Sequence, residues 1–544
     1  MRVPSVILLA ALLAKPAVAA QTVNVRNSAE LAAAFQKIQR GQLGAGTIVL
    51  IAPGTYNGGY ALTNVVGKPD APIVIRGTDP KDPPIISGGG QGFYMVDCAY
   101  ITLSTMTIRD CNVYAIHIHD GGTIETPAHH IVLENLTIEN IRSMVVKMAG
   151  VDDFTIRNCR MRNWKSFGIA MVGCHKGVIE DCTFGAKPGG GTQTRAILMK
   201  GGSSDILVQT CFFNDCGKEG VEIGGMTGER FFRPAKAPYE ARKITVAGNR
   251  FYKVGAPVSF AAADGGHVHH NTIVSPRTWV MRILQTSNQP RMKPCRDGVF
   301  EKNLVVYEKT LNGEFVNVGP RTAPKTFKFK GNAWFQSDGG GKKKLPSVET
   351  GGVDQVDPKL EKVGTAEMRI TSTDPRLKAV GADAYLRPGA EAGDAPPPKI
   401  RPDGAGSKGP AATADRRSQL SDADKALIAG RAKKAEAELR AALIAAVAGG
   451  ARKKVYVTIA GRPTRVKVTA ADEKGLEIDS RGMVLPLPWK SIAPARFARM
   501  CRVIVGEKAD PHLAWYALHH RLKELAAETA GGDAEVEGLL KKLP

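Results

Sequence analysis

The dominant pattern in the sequence is an eight-residue segment that recurs nine times, with apolar residues at fixed places. The segments begin at Ile101, Ile131, Phe154, Gly177, Ile206, Ile244, Gly266, Gly298 and Phe327. Their third residue is always apolar: Leu103, Leu133, Ile156, Ile179, Val208, Val246, Val268, Phe300 and Phe329. The eighth is apolar as well: Ile108, Ile138, Met161, Phe184, Phe213, Phe251, Ile273, Val305 and Trp334. Such a repeat predicts a solenoid, because one short strand–turn–strand unit buries its apolar face only when neighbours stack on it.

The sixth residue of the repeat changes from apolar to polar along the chain. It is, in order, Met106, Leu136, Cys159, Cys182, Cys211, Asn249, Asn271, Asn303 and Asn332. The cysteines predict a column of buried, unpaired thiols, since free cysteine behaves as a small hydrophobe. A metal site is the alternative, but ligands stacked in one column do not surround an ion. The asparagines predict an amide ladder at a turn, where asparagine tolerates left-handed backbone geometry.

These columns predict an all-β fold, a right-handed parallel β-helix over residues 21–386. We expect ten or more coils with parallel sheets between about residues 45 and 340, stacked about 4.8 Å apart. Residues Ala29–Gln39 have a helical pattern with Ser28 available as N-cap. This helix is predicted to cover the N-terminal end of the solenoid, because the end of a stack exposes its core.

The first twenty residues have the pattern of a secretory signal. Arg2 supplies positive charge, an apolar run follows from Val6 to Ala14, and small residues precede Gln21. The run is too short to span a bilayer stably, although an uncleaved membrane tether is the alternative. We therefore expect a mature protein without a transmembrane segment, either secreted or located in the periplasm or cell envelope.

Two further parts follow the solenoid. Residues 387–414 are rich in Pro, Gly and Ala and are predicted to form a flexible linker. Residues 415–544 begin with a helical pattern from Ser421 to Val447, with Ser421 as its N-cap. The stretches VYVTIAG, TRVKVTAAD, GLEIDS and MVLPLPW then predict four strands of an SH3-like barrel, followed by a helix over 511–530. Envelope association, oligomerisation and substrate targeting all remain open for this part.

The net charge of +22 favours an anionic partner. Nucleic acid is the usual partner of a basic chain, but the export signal argues against it. An acidic polysaccharide or an anionic envelope surface fits the predicted compartment better, and charge kept for solubility is the alternative.

The N-terminal coils carry a more specific resemblance. A capping helix followed by IVLIAPGTY, PIVIRG, an ISGGG turn and YITLSTMTIRDC resembles the secreted alginate and chondroitin lyase group that includes chondroitinase B. The resemblance covers about Val23 to Phe335. It implies calcium held by Asn and Glu residues in mid-helix, with a Lys as base and an Arg as acid. The Arg-His pair of that group falls at Ala261 and Ala262 here, and its Glu-bearing strand at Glu222, without a matching lysine motif after it.

A second strand in each coil supplies the candidate site. By the period-two rule its outward column comprises His117, Lys147, Ala170, Leu198, Glu222, Ser259, Arg282 and Asn317. The next outward column contains His119 and Lys200. Stacking predicts Lys200 close to Glu222 and Arg282 about 10 Å from Glu222. A solvated face of ordinary charge is the alternative reading.

The longest insertion in the solenoid, residues 225–243, begins beside this column. A loop of this length in a compact domain is usually functional or disordered. Phe232 and Tyr239 are predicted to stack on sugar rings. Arg230, Arg233 and Lys236 are predicted to meet carboxylates.

His267, His269 and His270 lie near Asp264 on one coil. A metal site is conceivable there. Because alternating and adjacent strand positions do not all face one ion, histidines of a coil turn are the favoured interpretation.

The residue types on the outward face favour a lyase. Elimination at a uronate needs a group to neutralise the carboxylate, a base for the proton α to it, and an acid for the leaving oxygen. We assign carboxylate neutralisation to Arg282 and the base to Lys200, with Glu222 orienting Lys200 or binding a cation. Hydrolysis needs two carboxylates, Glu222 with Glu219 or Glu229. The predicted function is thus a lyase of uronate-containing polysaccharides; the alternatives are a glycan-binding or envelope-associated protein without activity, and a glycoside hydrolase.

Overall fold

The computed structural model describes most of the chain from residue 21 onward. The described residues are 21–122, 127–185, 195–309, 311, 315–339, 343–385, 422–449, 454–459, 462–473, 475–480, 483–489, 497, 501, 505, 512, 514–516, 535, 536 and 539. The predicted signal segment and the predicted linker lie outside them.

Two parallel sheets form the body of the molecule within the described residues. The larger has 23 strands: Thr22–Val25, Ile48–Ile51, Thr55–Asn57, Ile73–Gly77, Ile85–Ser87, Ala99–Arg109, Ala128–Ile141, Val151–Arg157, Arg160–Trp164, His175–Glu180, Thr183–Gly185, Ser203–Gln209, Phe212–Asn214, Ala241–Ala247, Arg250–Tyr252, Ala263–His269, Thr272–Val274, Arg296–Glu301, Leu304–Tyr307, Lys328–Lys330, Ala333–Gln336, Glu349–Thr350 and Val353–Asp354. The ten-stranded sheet comprises Tyr60–Thr63, Gln91–Val96, Tyr114–His119, Met144–Ala149, Phe167–Val172, Arg195–Lys200, Glu219–Gly224, Ala256–Ala261, Met281–Leu284 and Val316–Val318. Each coil crosses both sheets, so the predicted parallel solenoid of about ten coils is confirmed.

The predicted apolar columns form the core between the sheets. Leu133, for example, pairs in register with Leu103 on one side and Ile156 on the other, and all three are buried. Aromatic rings stack within the column of eighth residues, where the Phe184 and Phe213 centroids lie 4.9 Å apart with planes 6° from parallel. Identical positions therefore pack on one another along the whole stack, which is how a repeat buries an apolar face that one unit cannot bury alone.

The bend inside the repeat is made by its fifth residue. All nine fifth residues have positive φ: Thr105, Asn135, Asn158, Asp181, Thr210, Gly248, His270, Lys302 and Gly331. Our prediction that the asparagines of the sixth position occupy the left-handed turn is therefore wrong. The left-handed residue turns the chain, and the sixth side chain then points into the core.

Thiols and amides fill this inward column as predicted. Cys159, Cys182 and Cys211 are buried and unpaired. The side chains of Asn249, Asn271, Asn303 and Asn332 are fully buried, and each Nδ2 donates to the next oxygen of the ladder at 2.8–3.0 Å. The ladder ends on Glu349 Oε1. Each asparagine oxygen also accepts a main-chain N–H, as Asn249 Oδ1 does from Cys211 at 2.9 Å, so the buried amides are satisfied.

A helix covers the N-terminal end of the stack, as predicted. It spans Ser28–Gln39, and Leu31, Phe35 and Ile38 are buried against the first coils. Its N-cap is Asn27 rather than Ser28, since the Asn27 side chain accepts from Glu30 N at 2.9 Å. Ser28 instead accepts a hydrogen bond from Asn57 N, which ties the helix to the first coil.

After the last coil the chain returns along the flank of the large sheet. A two-stranded antiparallel pair, Leu360–Glu361 with Arg369–Ile370, and the 3-10 turns Pro375–Leu377 and Ala382–Ala384 belong to this return. Its residues Met368, Leu377 and Val380 form a second apolar cluster with the outer side of the last coils. Tyr385 Oη donates to Gln209 Oε1, far back along the solenoid.

The described C-terminal residues contain a helix, Asp422–Ala448, and an antiparallel four-stranded sheet. Its strands are Lys454–Ile459, Arg462–Ala471, Gly475–Ser480 and Met483–Pro488, each paired with the next, as the sequence predicted. Closure into an SH3-like barrel stays a prediction, and the predicted helix over 511–530 lies mostly outside the described residues. No helix in the described part of the chain is long and apolar enough to cross a membrane.

Candidate functional site

The outward column of the ten-stranded sheet has the predicted register. His117 pairs with Lys147, Lys147 with Ala170, and the pairing continues in order to Asn317 at the C-terminal end. The column also extends one coil toward the N-terminus, where Tyr94 pairs with His117. The sequence reasoning missed Tyr94, although QGFYMV precedes the first repeat and has the same alternation.

Tyr94, His117, His119 and Lys147 form a compact group at the N-terminal half of this face, here called the basic cluster. The ring centroids of Tyr94, His117 and His119 are 5.0–5.3 Å apart in every pair. Tyr94 Oη and His119 Nε2 are hydrogen-bonded at 2.8 Å. His117 and Lys147 are half-buried, so their nitrogen atoms lie at the surface of the sheet.

The main chain fixes the tautomer of His119. Gly121 N–H donates to His119 Nδ1 at 2.9 Å, so that nitrogen carries the lone pair in the neutral ring. The proton is then on Nε2, which donates to Tyr94 Oη. The hydroxyl proton of Tyr94 is consequently directed away from His119.

Burial lowers the pKa of two members of the basic cluster. Desolvation, with the charges of His119 and Lys147, lowers the pKa of His117 to about 3. Desolvation together with the nearby Lys200 lowers the pKa of Lys147 to about 8. A lysine with such a pKa is about one-tenth neutral at pH 7, far more than an ordinary lysine, and the neutral form is what a general base requires.

Lys200 does not pair with Glu222 as predicted. Its Nζ donates to the Met226 main-chain oxygen at 2.7 Å, and its stem lies against Gly225. Burial lowers the pKa of Lys200, opposed by the charge of Glu240. The strand position was predicted correctly, but the insertion that starts at residue 225 holds the side chain at the edge of the sheet.

A buried ion network occupies the C-terminal half of the face. Glu219 and Glu222 are 2% exposed. Arg195 forms an ion pair with Glu222 and lies 3.6 Å from Glu219, while Arg282 Nη1 lies 2.5 Å from Glu219 Oε1. Arg282 therefore already has a carboxylate partner, and its guanidinium lies over the Trp279 ring.

The other polar members of the column in this half are Asn317 and Ser259. Arg282 Nε donates to Asn317 Oδ1 at 3.2 Å. Ser259 is fully buried between Glu222 and Arg282. The predicted trio of Lys200, Glu222 and Arg282 is thus divided between two local environments. Arg195 was missed because it lies at the start of its strand, outside the alternation that defined the column.

The insertion after Gly224 runs back over three coils along the edge of the ten-stranded sheet. Glu240, fully buried, accepts from Gly201 N and from both Thr227 N and Thr227 Oγ1, at 2.6–2.8 Å. Arg233 Nη1 and Nη2 donate to the two Asp152 carboxylate oxygens at 2.6 and 2.5 Å. This insertion therefore forms a wall beside the basic cluster and Lys200.

The side chains of the insertion differ in how far they are exposed to solvent. The predictions that Phe232 and Tyr239 stack on sugar rings are both wrong for this structure. The two residues are 0% and 4% exposed and pack with Ala237 in a small core of the insertion. Arg233 is mostly buried in its ion pair and acts as an anchor. Arg230 and Lys236 are exposed as expected. The exposed aromatic ring is that of Phe231, at 54%, with the Arg230 guanidinium 4.6 Å from its centroid.

The residues present do not fit the calcium that the resemblance implied. The carboxylates of Glu219 and Glu222 are already neutralised by arginines, and Ca²⁺ needs six to eight oxygen ligands. In the described ranges no group of three or more His, Cys, Asp or Glu side chains is arranged to hold a metal ion. The turn interpretation holds for His270 alone, since His267 and His269 lie in the strand Ala263–His269. His267 Nε2 lies 3.1 Å from Glu301, and burial lowers the pKa of His269 to about 4.

Comparison with known proteins bears on the fold. Residues 91–289 match the family described as "Right handed beta helix region". The fold is a right-handed parallel β-helix. This confirms the predicted handedness, and the matched residues contain the basic cluster, Glu222 and Arg282. None of the curated proteins is significantly similar to the chain in sequence.

Solved structures with a related architecture are distant. An alginate lyase from Paenibacillus sp. str. FPU-7 shares 15% identity, with 56% of this chain and 98% of that chain covered and a TM-score of 0.37. A GH136 lacto-N-biosidase from Eubacterium ramulus shares 13%, covering 59% and 64%, with a TM-score of 0.43. The A-module of a mannuronan C-5 epimerase from Azotobacter vinelandii shares 11%, covering 61% and 95%, with a TM-score of 0.40. At these values the similarity carries no information on what this chain binds.

Proposed function

We propose that the ten-stranded face binds an acidic, uronate-containing polysaccharide and cleaves it by β-elimination. The observation that carries the proposal is that the face is divided into basic groups at its surface and acidic groups that are buried. Its surface groups are the nitrogen bases His117, Lys147 and Lys200, whereas the carboxylates Glu219 and Glu222 are buried in ion pairs.

This division favours elimination over hydrolysis. Hydrolysis of a glycosidic bond needs a carboxylic acid and a second carboxylate that reach opposite sides of the bond. Neither Glu219 nor Glu222 reaches the surface, and each already forms an ion pair with an arginine. Elimination needs a base, an acid and a cationic contact to the carboxylate, all of which the surface residues supply.

The rest of the site fits a long anionic ligand. A solenoid face repeats its side-chain positions about every 4.8 Å, so a regular polymer can meet equivalent contacts on successive coils. The wall formed by the insertion presents Arg230 and Phe231, a cation and a ring, to a chain lying along the sheet. The net charge of +22 supports attraction of a polyanion over a distance.

A binding protein without catalysis is the second candidate. It is favoured by the engagement of Arg282 with Glu219, which leaves this arginine less available to neutralise a reacting carboxylate. Localisation outside the cytoplasm, in the periplasm or at the cell envelope, belongs to the same proposal and rests on the N-terminal signal pattern.

The test is incubation of the purified protein with a panel of acidic and neutral polysaccharides, followed by three measurements. These are retention of the protein on each polysaccharide, ultraviolet absorbance of unsaturated uronate ends, and total reducing ends. We expect retention and unsaturated ends with acidic polymers alone. Reducing ends without unsaturation would indicate hydrolysis and contradict the lyase, and binding without new ends would establish the second candidate.

A matched pair of double variants locates the binding face. Lys147→Ala with Lys200→Ala removes two charges from the ten-stranded face, and Lys328→Ala with Lys330→Ala removes two exposed charges from the large sheet. Two charged contacts contribute about 3 kcal/mol together, so the first pair should weaken binding about a hundredfold and the second pair should have little effect. Equal affinities for both double variants would mean that this face is not the binding site.

A further inference from the structure

We infer that the basic cluster is the proton-transfer centre of the reaction, with Lys147 as the base and Tyr94, held by His119, as the acid. This inference rests on the proposed function and names the residues that carry it out. It replaces Lys200, the base expected from the sequence, with a lysine two coils nearer the N-terminus.

Tyr94 and Lys147 lie along the face at a spacing that suits an acid and a base acting on the same sugar unit. Tyr94, His117 and Lys147 occupy the same register position on three successive strands, which places the Cα atoms of Tyr94 and Lys147 about 10 Å apart. Both side chains are long and belong to the outward column, which lets their polar ends approach the C–H and C–O bonds on adjacent carbons of one sugar unit. Lys200, whose charge acts on Lys147, lies on the other side and is placed to neutralise the carboxylate.

His117 separates the acid from the base without adding charge. Its ring is 5.2 Å from that of Tyr94, and burial keeps it neutral across the physiological range because its pKa is about 3. An uncharged neighbour leaves Lys147 able to lose its proton, whereas a carboxylate at the same place would hold that proton on the amine.

His119 is a positioning residue in this scheme. Its Nδ1 accepts from Gly121 N, and its Nε2–H donates to the phenol oxygen. This contact holds the phenol oxygen of Tyr94 in place. It also stabilises negative charge on the phenol oxygen when the proton leaves, which makes Tyr94 a better acid.

The reaction balances without a further reactant. Neutral Lys147 removes the proton on the carbon next to the carboxylate, and the electrons of that C–H bond form a double bond to the adjacent ring carbon. The bond from that carbon to the glycosidic oxygen breaks, and Tyr94 donates its proton to the oxygen. One chain end is unsaturated and the other carries a hydroxyl; solvent then takes the proton from Lys147 and returns one to Tyr94.

The experiment compares Tyr94→Phe and Lys147→Met with the matched variant Tyr114→Phe. Tyr114 also lies against the His117 ring, with centroids 4.8 Å apart, but it is not the tyrosine bonded to His119. Loss of a proton donor or acceptor lowers kcat by about a hundredfold or more. We expect this loss for the first two variants and near-normal kcat for Tyr114→Phe. Polysaccharide affinity should stay within about threefold of wild type for Tyr94→Phe and fall about tenfold for Lys147→Met, which also removes a charged contact. Thermal midpoints and circular dichroism check that all three are folded.

To test whether His119 positions Tyr94, we need measurements that a purely structural role of His119 would not change. His119→Gln keeps a donor toward Tyr94 and should retain more kcat than His119→Leu at similar stability. Nitrogen NMR of the wild type should show His119 protonated on Nε2, and Tyr94→Phe should shift that signal. Both observations apply even before a substrate is known.

The outcomes separate this inference from the proposed function. If the wild type cleaves and either Tyr94→Phe or Lys147→Met keeps kcat within tenfold, the inference is wrong and the proposed function stands. If the wild type binds acidic polysaccharides but cleaves none of them, the inference is wrong and only the binding proposal survives. If no acidic polysaccharide is bound, the proposed function itself fails.

Discussion

Replacing one amide of the asparagine ladder should destabilise the solenoid far more than removing one thiol from the same column. The informative change is Asn303→Cys, which puts the residue type used at Cys159, Cys182 and Cys211 into the amide part of the column. Asn303 is fully buried, and its neighbours in the ladder are Asn271 and Asn332.

The cost can be worked out bond by bond. The Asn303 side chain accepts from both Asn271 N and Asn271 Nδ2 at 2.9 Å, and it donates to Val268 O and Asn332 Oδ1 at 3.0 Å. Asn271 Nδ2 and Asn332 Oδ1 have other partners, but Asn271 N–H and Val268 O each lose a bond inside the core. A buried group left without its partner costs about 1–3 kcal/mol, so the change should cost about 3–5 kcal/mol with the lost packing included.

Urea titrations followed by circular dichroism measure this difference, with Cys182→Ala as the matched control. The control removes one buried sulfur atom from the column and should cost about 1 kcal/mol. Both variants should lower the urea midpoint without a change in slope, because neither alters the surface exposed on unfolding. If Asn303→Cys were no less stable than Cys182→Ala, the amide ladder would not be contributing as its hydrogen bonds imply.

Three further predictions concern charge, the insertion and the chain between the two parts. Because the folded pKa of Lys147, about 8, lies below its ordinary value, the unfolded state binds more protons between pH 8 and about 10.5. The thermal midpoint of wild type relative to Lys147→Met should therefore rise as pH increases through that window, and a flat difference would contradict the lowered pKa. Arg233→Ala should expose residues 225–240 to limited proteolysis, because the ion pair of Arg233 with Asp152 holds the insertion on the coils. The control Arg230→Ala changes an exposed residue without that ion pair and should leave the insertion protected. Equal cleavage of both variants would argue against Arg233 as an anchor. Mild proteolysis should cut within 387–414 and release two folded parts, and protection of that stretch would contradict the predicted linker.

The periodicity of the sequence was sufficient to predict the solenoid. Apolar residues at fixed spacing can be buried together only by stacking, so the columns, their parallel register and the outward column followed directly. The positive φ of the fifth residue could not be predicted in the same way. Its residue types range from Gly and Asn to Thr and Lys, because the stacked neighbours impose the conformation on whichever residue falls there.

The site was harder to predict from the sequence because its contacts join residues that are far apart in the chain. Arg233 binds Asp152 across 81 positions, and this contact determines the path of the insertion over the coils. Burial of Tyr239 follows from that path. The lowered pKa of Lys147 likewise depends on its burial and its neighbours. The place of Lys147 on the face could therefore be predicted from the sequence, but its proton affinity could not.

The returning segment joins coils that are far apart in the stack. Its apolar residues pack on the last coils, whereas Tyr385 packs against Gly248 and hydrogen-bonds to Gln209, beside the sixth and seventh of the ten coils. The last coils therefore cannot separate from the stack without also breaking contacts near its middle. Unfolding of the C-terminal coils should for this reason be coupled to opening of the middle coils and not proceed by fraying from the end.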